Sequence, residues 1–211
     1  LLSGELANGR IVLQGPLDHF PYDHGGGQFT TELHIRDLYL NYATDWPTIT
    51  NGEAHLVFSN ESLQIDIDGG KIDGHPIHNL VMVSERVGES PLRIHGQVVS
   101  ESRKMLRTLE DTPLSRRATQ LNSQFSMDGY AFLDLGVEVP LKKENQIQVE
   151  GRVELHGNQL SLKDLDLELE QVQGNIEFTN EGFSIEGIRG EMLGGPVTIT
   201  AFTAGDELQS E

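Results

Sequence analysis

The chain has 211 residues, enough for one large domain or two ordinary ones. Its 33 acidic and 15 basic side chains give a formal net charge of -18, which argues against direct electrostatic binding to nucleic acid or to an anionic membrane surface. No cysteine is present, so disulfide and thiolate chemistry are excluded. Because the sequence begins at Leu1 without a methionine or a signal-peptide pattern, we expect a fragment of a longer protein whose membrane anchor lies elsewhere.

The first part of the chain is predicted to be strands separated by turns. A strand is expected around Ile11-Val-Leu13, followed by a Pro- and Gly-rich loop that ends near residue 28. From Phe29 apolar residues alternate with polar ones, which is typical of a half-buried strand. Arg36-Asp37 is predicted to form a turn before the pattern resumes, and Trp46-Pro47 predicts a further bend.

In the middle of the chain, the spacing of apolar residues changes from that of strands to that of a helix. Two strands are predicted around Leu80-Met82 and Leu92-Ile94, and then Met105, Leu106 and Leu109 lie on one helical face. Thr112-Pro113 is typical of a second helix start, so we predict two short helices within residues 100–122. Alternation typical of strands returns from residue 125, and the polar residues after 204 are predicted to be a frayed tail.

A sequence repeat lies on either side of the predicted helices. When residues 58–78 are aligned without gaps on residues 178–198, seven of the 21 positions are identical. Phe178 ends a strand, Thr179-Asn-Glu-Gly182 supplies turn residues, and Phe183 and Ile185 alternate with polar residues on the return strand. Gly194-Gly-Pro196 then bends the chain again, so each copy is predicted to be a β-meander. The full repeat unit is expected to span residues 29–78 and 149–198.

These patterns predict a mainly β fold, in which two β-meander repeats form an extended antiparallel sheet with a short two-helix insertion. We predict a first repeat unit with its preceding loop at residues 1–99, the helical insertion at 100–122, the second repeat unit at 123–204 and a tail at 205–211. Period-2 alternation gives such a sheet one apolar and one polar face. The apolar face is either packed as a closed core or left open for an apolar ligand.

Four motifs in this order resemble a known family. They are Gly15-Pro-Leu-x-x-Phe-Pro-Tyr22, Tyr42-Ala-x-x-Trp46-Pro47, Thr112-Pro113-Leu114 and Leu193-Gly-Gly-Pro-Val197. Together they resemble the periplasmic part of YhdP-type proteins of the AsmA-like family of Gram-negative bacteria, over nearly the whole chain. That family is similar to TamB and to eukaryotic bridge-like lipid transfer proteins.

The resemblance implies a curved, U-shaped antiparallel sheet whose apolar inner face carries lipid acyl chains. It also implies a periplasmic protein anchored in the inner membrane, which moves phospholipid between the inner and outer membranes and maintains outer-membrane integrity. Its partners would be phospholipid acyl chains and the remaining segments of the same longer chain, with no cofactor. The alternative is a scaffold of the cell envelope with a closed core and no lipid cargo.

The groove residues are expected to be the inward apolar residues of both repeats. In the first repeat these are Leu33, Ile35, Leu40, Tyr42, Leu56, Phe58, Leu63 and Ile65. In the second they are Val153, Leu155, Leu160, Leu162, Ile176, Phe178, Phe183 and Ile185. The competing interpretation for each residue is a closed core.

The sequence signals for metal-binding and catalytic residues are weaker than those for the groove. Asp66, Asp68 and Asp73 are spaced like the acids of a calcium loop, but the second repeat has Ile188 and Leu193 at two of these positions, so we interpret the acids as an exposed strand and turn. Asp18-His19 with Asp23-His24 could ligate zinc, yet a loop flanked by glycines holds no fixed geometry. No metal site is predicted. Nucleophile, metalloprotease and phosphate-binding motifs are absent from the sequence, so we do not expect an enzyme.

Overall fold

The computed structural model describes residues 2–22, 24–42, 44–112, 115, 119, 123, 125–140, 146–163, 166–204 and 207–210. These residues form fourteen β-strands, one turn of 3-10 helix at Leu17–His19 and the helix α1 at Ser102–Glu110. The strands are β1 (Leu2–Gln14), β2 (Gln28–Leu40), β3 (Ile49–Ser59), β4 (Ser62–Asp68), β5 (Lys71–Ile72), β6 (His75–Ser84), β7 (Leu92–Glu101), β8 (Phe125–Asp128), β9 (Tyr130–Val139), β10 (Gln148–Leu162), β11 (Leu167–Thr179), β12 (Phe183–Met192), β13 (Gly195–Ala204) and β14 (Glu207–Ser210). The predicted mainly β, antiparallel fold is confirmed.

The chain divides into two compact units. Unit 1 comprises Leu1–Ala43, Thr48–Gly96 and Gly136–Gln148, and unit 2 comprises Thr44–Pro47, Gln97–Leu135 and Val149–Glu211. Strands β7 and β9 are each divided between the two units, β7 after Gly96 and β9 after Leu135. None of the described helices is long and apolar enough to span a bilayer.

Unit 1 is built on antiparallel strands in the order β1-β2-β3-β4-β6, with β5 pairing to both β3 and β6. Its inward residues form rows across the strands, because direct cross-strand partners share one face of a sheet. One row joins Leu33, Leu56, Ile65 and Met82. Met82 is fully buried, whereas Leu33 and Leu56 are only half-buried.

Unit 2 carries the strand order β10-β11-β12-β13-β14, and β8 pairs with β10 on the side away from β11. One apolar cluster forms its core, and α1 contributes Met105 to it. The buried members from the strands include Leu155, Leu169, Val172 and Ile188, each at most 1% exposed. Since α1 is only nine residues long, it depends on this packing for its stability.

The hairpins β3–β4 and β11–β12 pair in the same register. Phe58 is opposite Leu63 in the first, and Phe178 is opposite Phe183 in the second. The amide oxygen of Asn60 accepts a hydrogen bond from the backbone N–H of Phe29 at 2.9 Å, and that of Asn180 accepts one from Val149. Each asparagine N–H donates back to the carbonyl of the same strand residue. The turn of each hairpin is therefore tied to the strand on its other side.

Two local expectations are wrong. Arg36-Asp37 does not reverse the chain, because β2 runs through both residues with a bulge between Ile35 and Leu38, where Asp37 has a φ of 49°. The chain after residue 204 is not merely frayed, since β14 pairs with β13. The first predicted helix is confirmed as α1, and the second lies mostly outside the described residues.

Candidate functional site

A strongly apolar cavity in the part of the chain that the structure describes is a groove in unit 2 with a volume of about 110 Å³. Nearly all of its lining is hydrocarbon. The lining residues are Ser102, Met105, Leu106, Leu109, Phe125, Met127, Ala131, Val153, Leu160, Ile176, Phe178, Thr179, Gly182, Phe183, Ile185 and Ile188. We call this cavity the unit 2 groove.

The wall of the groove is made by residues that are opposite one another on neighbouring strands. Val153 on β10 pairs with Ile176 on β11, which pairs with Ile185 on β12. Phe178 and Phe183 form the next row toward the hairpin turn. Because side chains alternate between the two faces of a strand, these five residues share one face, while the intervening polar residues Glu177 and Ser184 face the other way.

Helix α1 covers part of the groove. Its residues Met105, Leu106 and Leu109 lie on one face of the helix and line the groove, and Met105 is only 5% exposed. The opposite face of α1 is charged and exposed. The helix thus supplies one apolar wall, while the strands of unit 2 supply the others.

A buried polar network fixes the first turn of α1. Asn158, which is 1% exposed, donates from Nδ2 to the Ser102 hydroxyl at 3.1 Å and to the Tyr130 carbonyl at 3.0 Å. Its Oδ1 accepts the N–H of His156 at 2.9 Å. The Ser102 hydroxyl and N–H in turn donate to the carbonyl of Gly129. Each polar group of the Asn158 side chain therefore has a partner, as its burial requires.

Two glycines give this site its shape. Gly129 has a φ of +107°, and a Cβ there would lie 2.8 Å from the Asn158 amide nitrogen, so a side chain would displace the network. Gly151 on β10 is opposite Phe178, and a Cβ there would lie 2.4 Å from the Phe178 ring. The missing side chain at Gly151 allows the ring to lie against β10.

The charged residues near α1 are mostly paired. Arg103 donates to Asp128 at 2.6 Å, and Lys104 donates to Glu101 at 2.8 Å. The hydrogen bond to Glu101 raises the pKa of Lys104 above its ordinary value. Both pairs are about half exposed, so they orient the side chains more than they stabilise the fold.

The structure brings most of the second-repeat residues together. Val153, Leu160, Ile176, Phe178, Phe183 and Ile185 line the unit 2 groove, Leu155 lies in the core of unit 2, and Leu162 packs against that core. Met127, Ala131 and Ile188 also line the groove and are absent from the sequence-based set. Ile188 does not follow strict alternation, because the strand register shifts between Ile185 and Ile188.

The first-repeat residues lie in unit 1. Leu40 and Ile65 are buried, and the other six are half-buried: Leu33, Ile35, Tyr42, Leu56, Phe58 and Leu63. Phe58 contacts Phe29 at a ring-centroid distance of 5.8 Å, and Phe29 contacts the exposed Phe20 at 5.2 Å. Burial raises the pKa of the Tyr42 phenol above its ordinary value.

Among the described residues no group of three or more His, Asp or Glu side chains is placed to hold a metal ion. The carboxylate of Asp66 instead accepts hydrogen bonds from Gln64 at 3.0 and 2.9 Å. Asp68 and Asp73 are exposed, and Asp73 lies in a turn with a φ of 49°. Of the zinc candidates, Asp18 lies 4.0 Å from His19, and Asp23 is outside the described residues.

A family described as "YhdP protein" matches residues 1–210. The chain is 27% identical over 196 residues to the "Intermembrane phospholipid transporter YhdP" of Escherichia coli (strain K12). That alignment covers 93% of this chain and 15% of the relative, so the chain spans a small part of that protein's length. No solved structure matches the chain.

Proposed function

The chain belongs to the YhdP family, and from that premise we propose that it is one segment of a conduit for phospholipid between the inner and outer membranes. In this proposal acyl chains lie on the apolar inner face of its sheet, and transfer needs no catalytic residue. The relative named as an intermembrane phospholipid transporter supports the substrate class.

The unit 2 groove is the observation that carries the proposal. Its lining is almost entirely hydrocarbon, and it contains large side chains such as Phe178 and Phe183. Each methylene removed from water contributes about 0.8 kcal/mol, so an acyl chain gains on the order of 10 kcal/mol from a continuous apolar surface. The groove itself, at about 110 Å³, has room for only a few of these methylenes, so the rest of an acyl chain must lie on apolar surface continuous with it.

We extend the proposal to both repeats. The sixteen inward residues of the two β-meanders are the proposed wall of a U-shaped groove, and the boundaries at residues 99, 122 and 204 remain its predicted divisions. The equal registers of the two hairpins and the matching bonds of Asn60 and Asn180 support a tandem repeat. The half-buried state of Leu33, Leu56 and Phe58 supports an apolar face in unit 1 that a ligand can reach.

The proposed location is the periplasm of a Gram-negative bacterium, with the inner-membrane anchor in another part of the longer protein. An acidic chain suits this place, because its charge of -18 keeps its polar face in water and away from anionic lipid surfaces. The proposed partners are phospholipid acyl chains and neighbouring segments of the same protein.

The alternative is an envelope scaffold with a closed core. One observation favours it: Leu155, a proposed wall residue, is 1% exposed and already packed in the core of unit 2. In that case the groove would be a packing defect, and the chain would bind no lipid.

Native mass spectrometry with lipid extraction separates the two functions. The parent chain, purified from bacteria, is expected to carry phospholipid, and Phe178→Asp is expected to lose it because a carboxylate in the groove would be desolvated. Asn175→Asp adds the same charge to an exposed position on the same strand and is expected to keep the lipid. Circular dichroism establishes that each variant is folded.

A parent chain that stays free of lipid after incubation with excess phospholipid would contradict the conduit and favour the scaffold. Equal lipid loss in both variants would show that charge on β11, rather than the groove, controls binding.

A further inference from the structure

The two ends of the unit 2 groove differ in exposure. Ala131 and Ile188, which line it deep in unit 2, are fully buried. At the β11–β12 turn, the lining residue Thr179 is exposed and Gly182 is half-buried. A ligand would therefore enter beside this turn and end against Ala131 and Ile188.

The lining offers no free polar partner to a ligand. Its side-chain hydroxyls are those of Ser102 and Thr179. The Ser102 hydroxyl is held between Gly129 and Asn158, and the Thr179 hydroxyl accepts the N–H of Glu181 at 3.1 Å. A phosphate, carboxylate or hydroxyl group moved to the deep end would lose its water without replacement, so the buried part of a ligand must be hydrocarbon.

The volume of the groove limits how much hydrocarbon it takes. A cavity of about 150 Å³ holds benzene, so a groove of about 110 Å³ has room for about four carbon atoms. A middle segment of an acyl chain would have to enter and leave through the same opening, which needs a wider space. The methyl end of the chain is hydrocarbon to its last atom and enters alone.

The ring of Phe178 lies over Gly151 on the neighbouring strand. A Cβ at Gly151 would lie 2.4, 2.7 and 3.0 Å from three atoms of this ring. Gly151 does not have a left-handed backbone conformation, so the ring, and not the backbone, requires that the side chain be missing. A side chain at Gly151 would push the ring away from β10 and toward Phe183, which is its partner on β12 and also lines the groove.

The first repeat has a different residue at the equivalent position. Thr31 is opposite Phe58 there, as Gly151 is opposite Phe178 in the second repeat. The ring of Phe58 packs instead against the ring of Phe29, at a centroid distance of 5.8 Å. The arrangement of Gly151 and Phe178 therefore belongs to unit 2 and is not a general property of the repeat.

We infer that the unit 2 groove receives the methyl end of an acyl chain, and that Gly151 keeps room for it by letting the Phe178 ring lie against β10. This inference rests on the proposed function and specifies which part of the lipid enters the groove. Gly151 is a positioning residue, because it acts through Phe178 and does not line the groove itself.

Methyl NMR with two uncharged probes of equal length tests the orientation of the chain. Octanol, which has one methyl end, is expected to shift the methyl signals of Ile185 and Ile188. Nuclear Overhauser effects are expected between Ile188 and the methyl end of octanol, and none between Ile188 and the carbon that bears the hydroxyl. Octane-1,8-diol has no methyl end and is expected to bind about tenfold more weakly, because one hydroxyl would be buried without a partner.

Gly151→Ala tests the role of the glycine. It is expected to weaken octanol binding by about tenfold, the equivalent of one to two methylenes that no longer fit. Gly195→Ala is the matched control, because a Cβ at Gly195 would meet its nearest neighbour at an ordinary 3.8 Å and Gly195 does not line the groove. It is expected to leave octanol binding unchanged. The comparison of octanol with the diol uses the parent chain and so does not depend on the folding of a variant.

The outcomes separate this inference from the proposed function. If the parent carries phospholipid but octanol leaves the signals of Ile185 and Ile188 unchanged, the inference is wrong while the proposed function stands. The same holds if the hydroxyl-bearing carbon lies beside Ile188, or if a folded Gly151→Ala binds octanol as tightly as the parent. If the parent binds neither phospholipid nor octanol, the proposed function fails as well.

Discussion

Asn158 places a polar side chain inside an otherwise apolar layer of unit 2. Its three hydrogen bonds join β10, β9 and α1, and the one to Ser102 connects residues that are 56 positions apart in the sequence. Burying such a network costs little free energy when every polar group has a hydrogen-bond partner. The cost is large when one partner is removed. Asn158 therefore positions α1 over the groove without contacting the proposed ligand.

Asn158→Ala is expected to lower the free energy of unfolding by about 3 kcal/mol, since it removes a fully buried side chain that bonds the Ser102 hydroxyl, the Tyr130 carbonyl and the His156 N–H. Urea denaturation measures this loss, and hydrogen exchange of α1 is expected to accelerate as well. Asn175→Ala, at an exposed site on β11, is the control and is expected to have little effect. Equal stability of the two variants would contradict the role of Asn158.

Tyr42 is expected to make the free energy of unfolding depend on pH in the alkaline range. Burial raises its pKa in the folded state, so the unfolded chain releases the phenol proton first, near its ordinary pKa of about 10. The stabilising contribution is complete below about pH 10 and is lost as the pH rises above that value. The parent is expected to lose about 1 kcal/mol more than Tyr42→Phe between about pH 8 and pH 11.

Denaturant unfolding at the two pH values checks this difference. Tyr39→Phe, at an exposed tyrosine of β2, serves as the control and is expected to behave like the parent. A Tyr42→Phe variant that loses as much stability as the parent would show that Tyr42 is not responsible.

At the scale of elements, the asparagines in the hairpin turns hold the strands in register. Asn60 has a φ of 51°, accepts the N–H of Phe29 and donates its own N–H to the Phe29 carbonyl. Asn180 makes the same pair of bonds with Val149. The side chain of each asparagine thus ties a turn to a strand that is not part of its hairpin.

Asn60→Ala is expected to destabilise the chain by about 2 kcal/mol, because it removes one hydrogen bond and leaves alanine in a left-handed conformation that asparagine tolerates better. Asn60→Asp keeps the acceptor oxygen and is expected to stay within about 0.5 kcal/mol of the parent. Thermal or urea unfolding of both variants measures the difference. A loss of similar size in both would mean that the amide donor, and not the acceptor, holds the turn.

The sequence predicts the strands of this fold better than their interruptions. Strict alternation identifies Ile176, Phe178 and Ile185 as residues of one face, because each is two positions from its inward neighbour. It cannot identify Ile188, which follows a register shift in β12. A polar pair such as Arg36-Asp37 is compatible with either a turn or a bulge. The cross-strand pairing of Ile35 with Ala54 and of Leu38 with Gly52 shows that the pair forms a bulge.

The site is less predictable than the fold, since its closure depends on distant residues. Met105 and Leu109 are recognisable as one apolar helix face, but nothing local indicates which strands they cover. The partnership of Asn158 with Ser102 has no sequence signal either, because a polar residue in a strand usually faces water. Tertiary contacts over long sequence separations therefore supply what periodicity cannot.

At the scale of the whole molecule, the described apolar groove is separate from the acidic side chains. The groove in unit 2 is lined by strands and by α1, while the formal charge of -18 lies on residues outside its lining. A conduit that works by burial alone requires only that this apolar surface meets lipid within the longer protein. In such a conduit, the place of a residue along the groove would affect lipid transfer more than the chemistry of its own side chain.

The most direct test of this claim is photo-crosslinking of the full-length protein in living Gram-negative cells. A photoreactive phenylalanine derivative at Phe178 is expected to form a covalent adduct with phospholipid that mass spectrometry identifies. The same derivative at Asn175, an exposed position on the same strand, is expected to form none. A protein that remains functional in the cell but yields no lipid adduct at Phe178 would contradict the conduit.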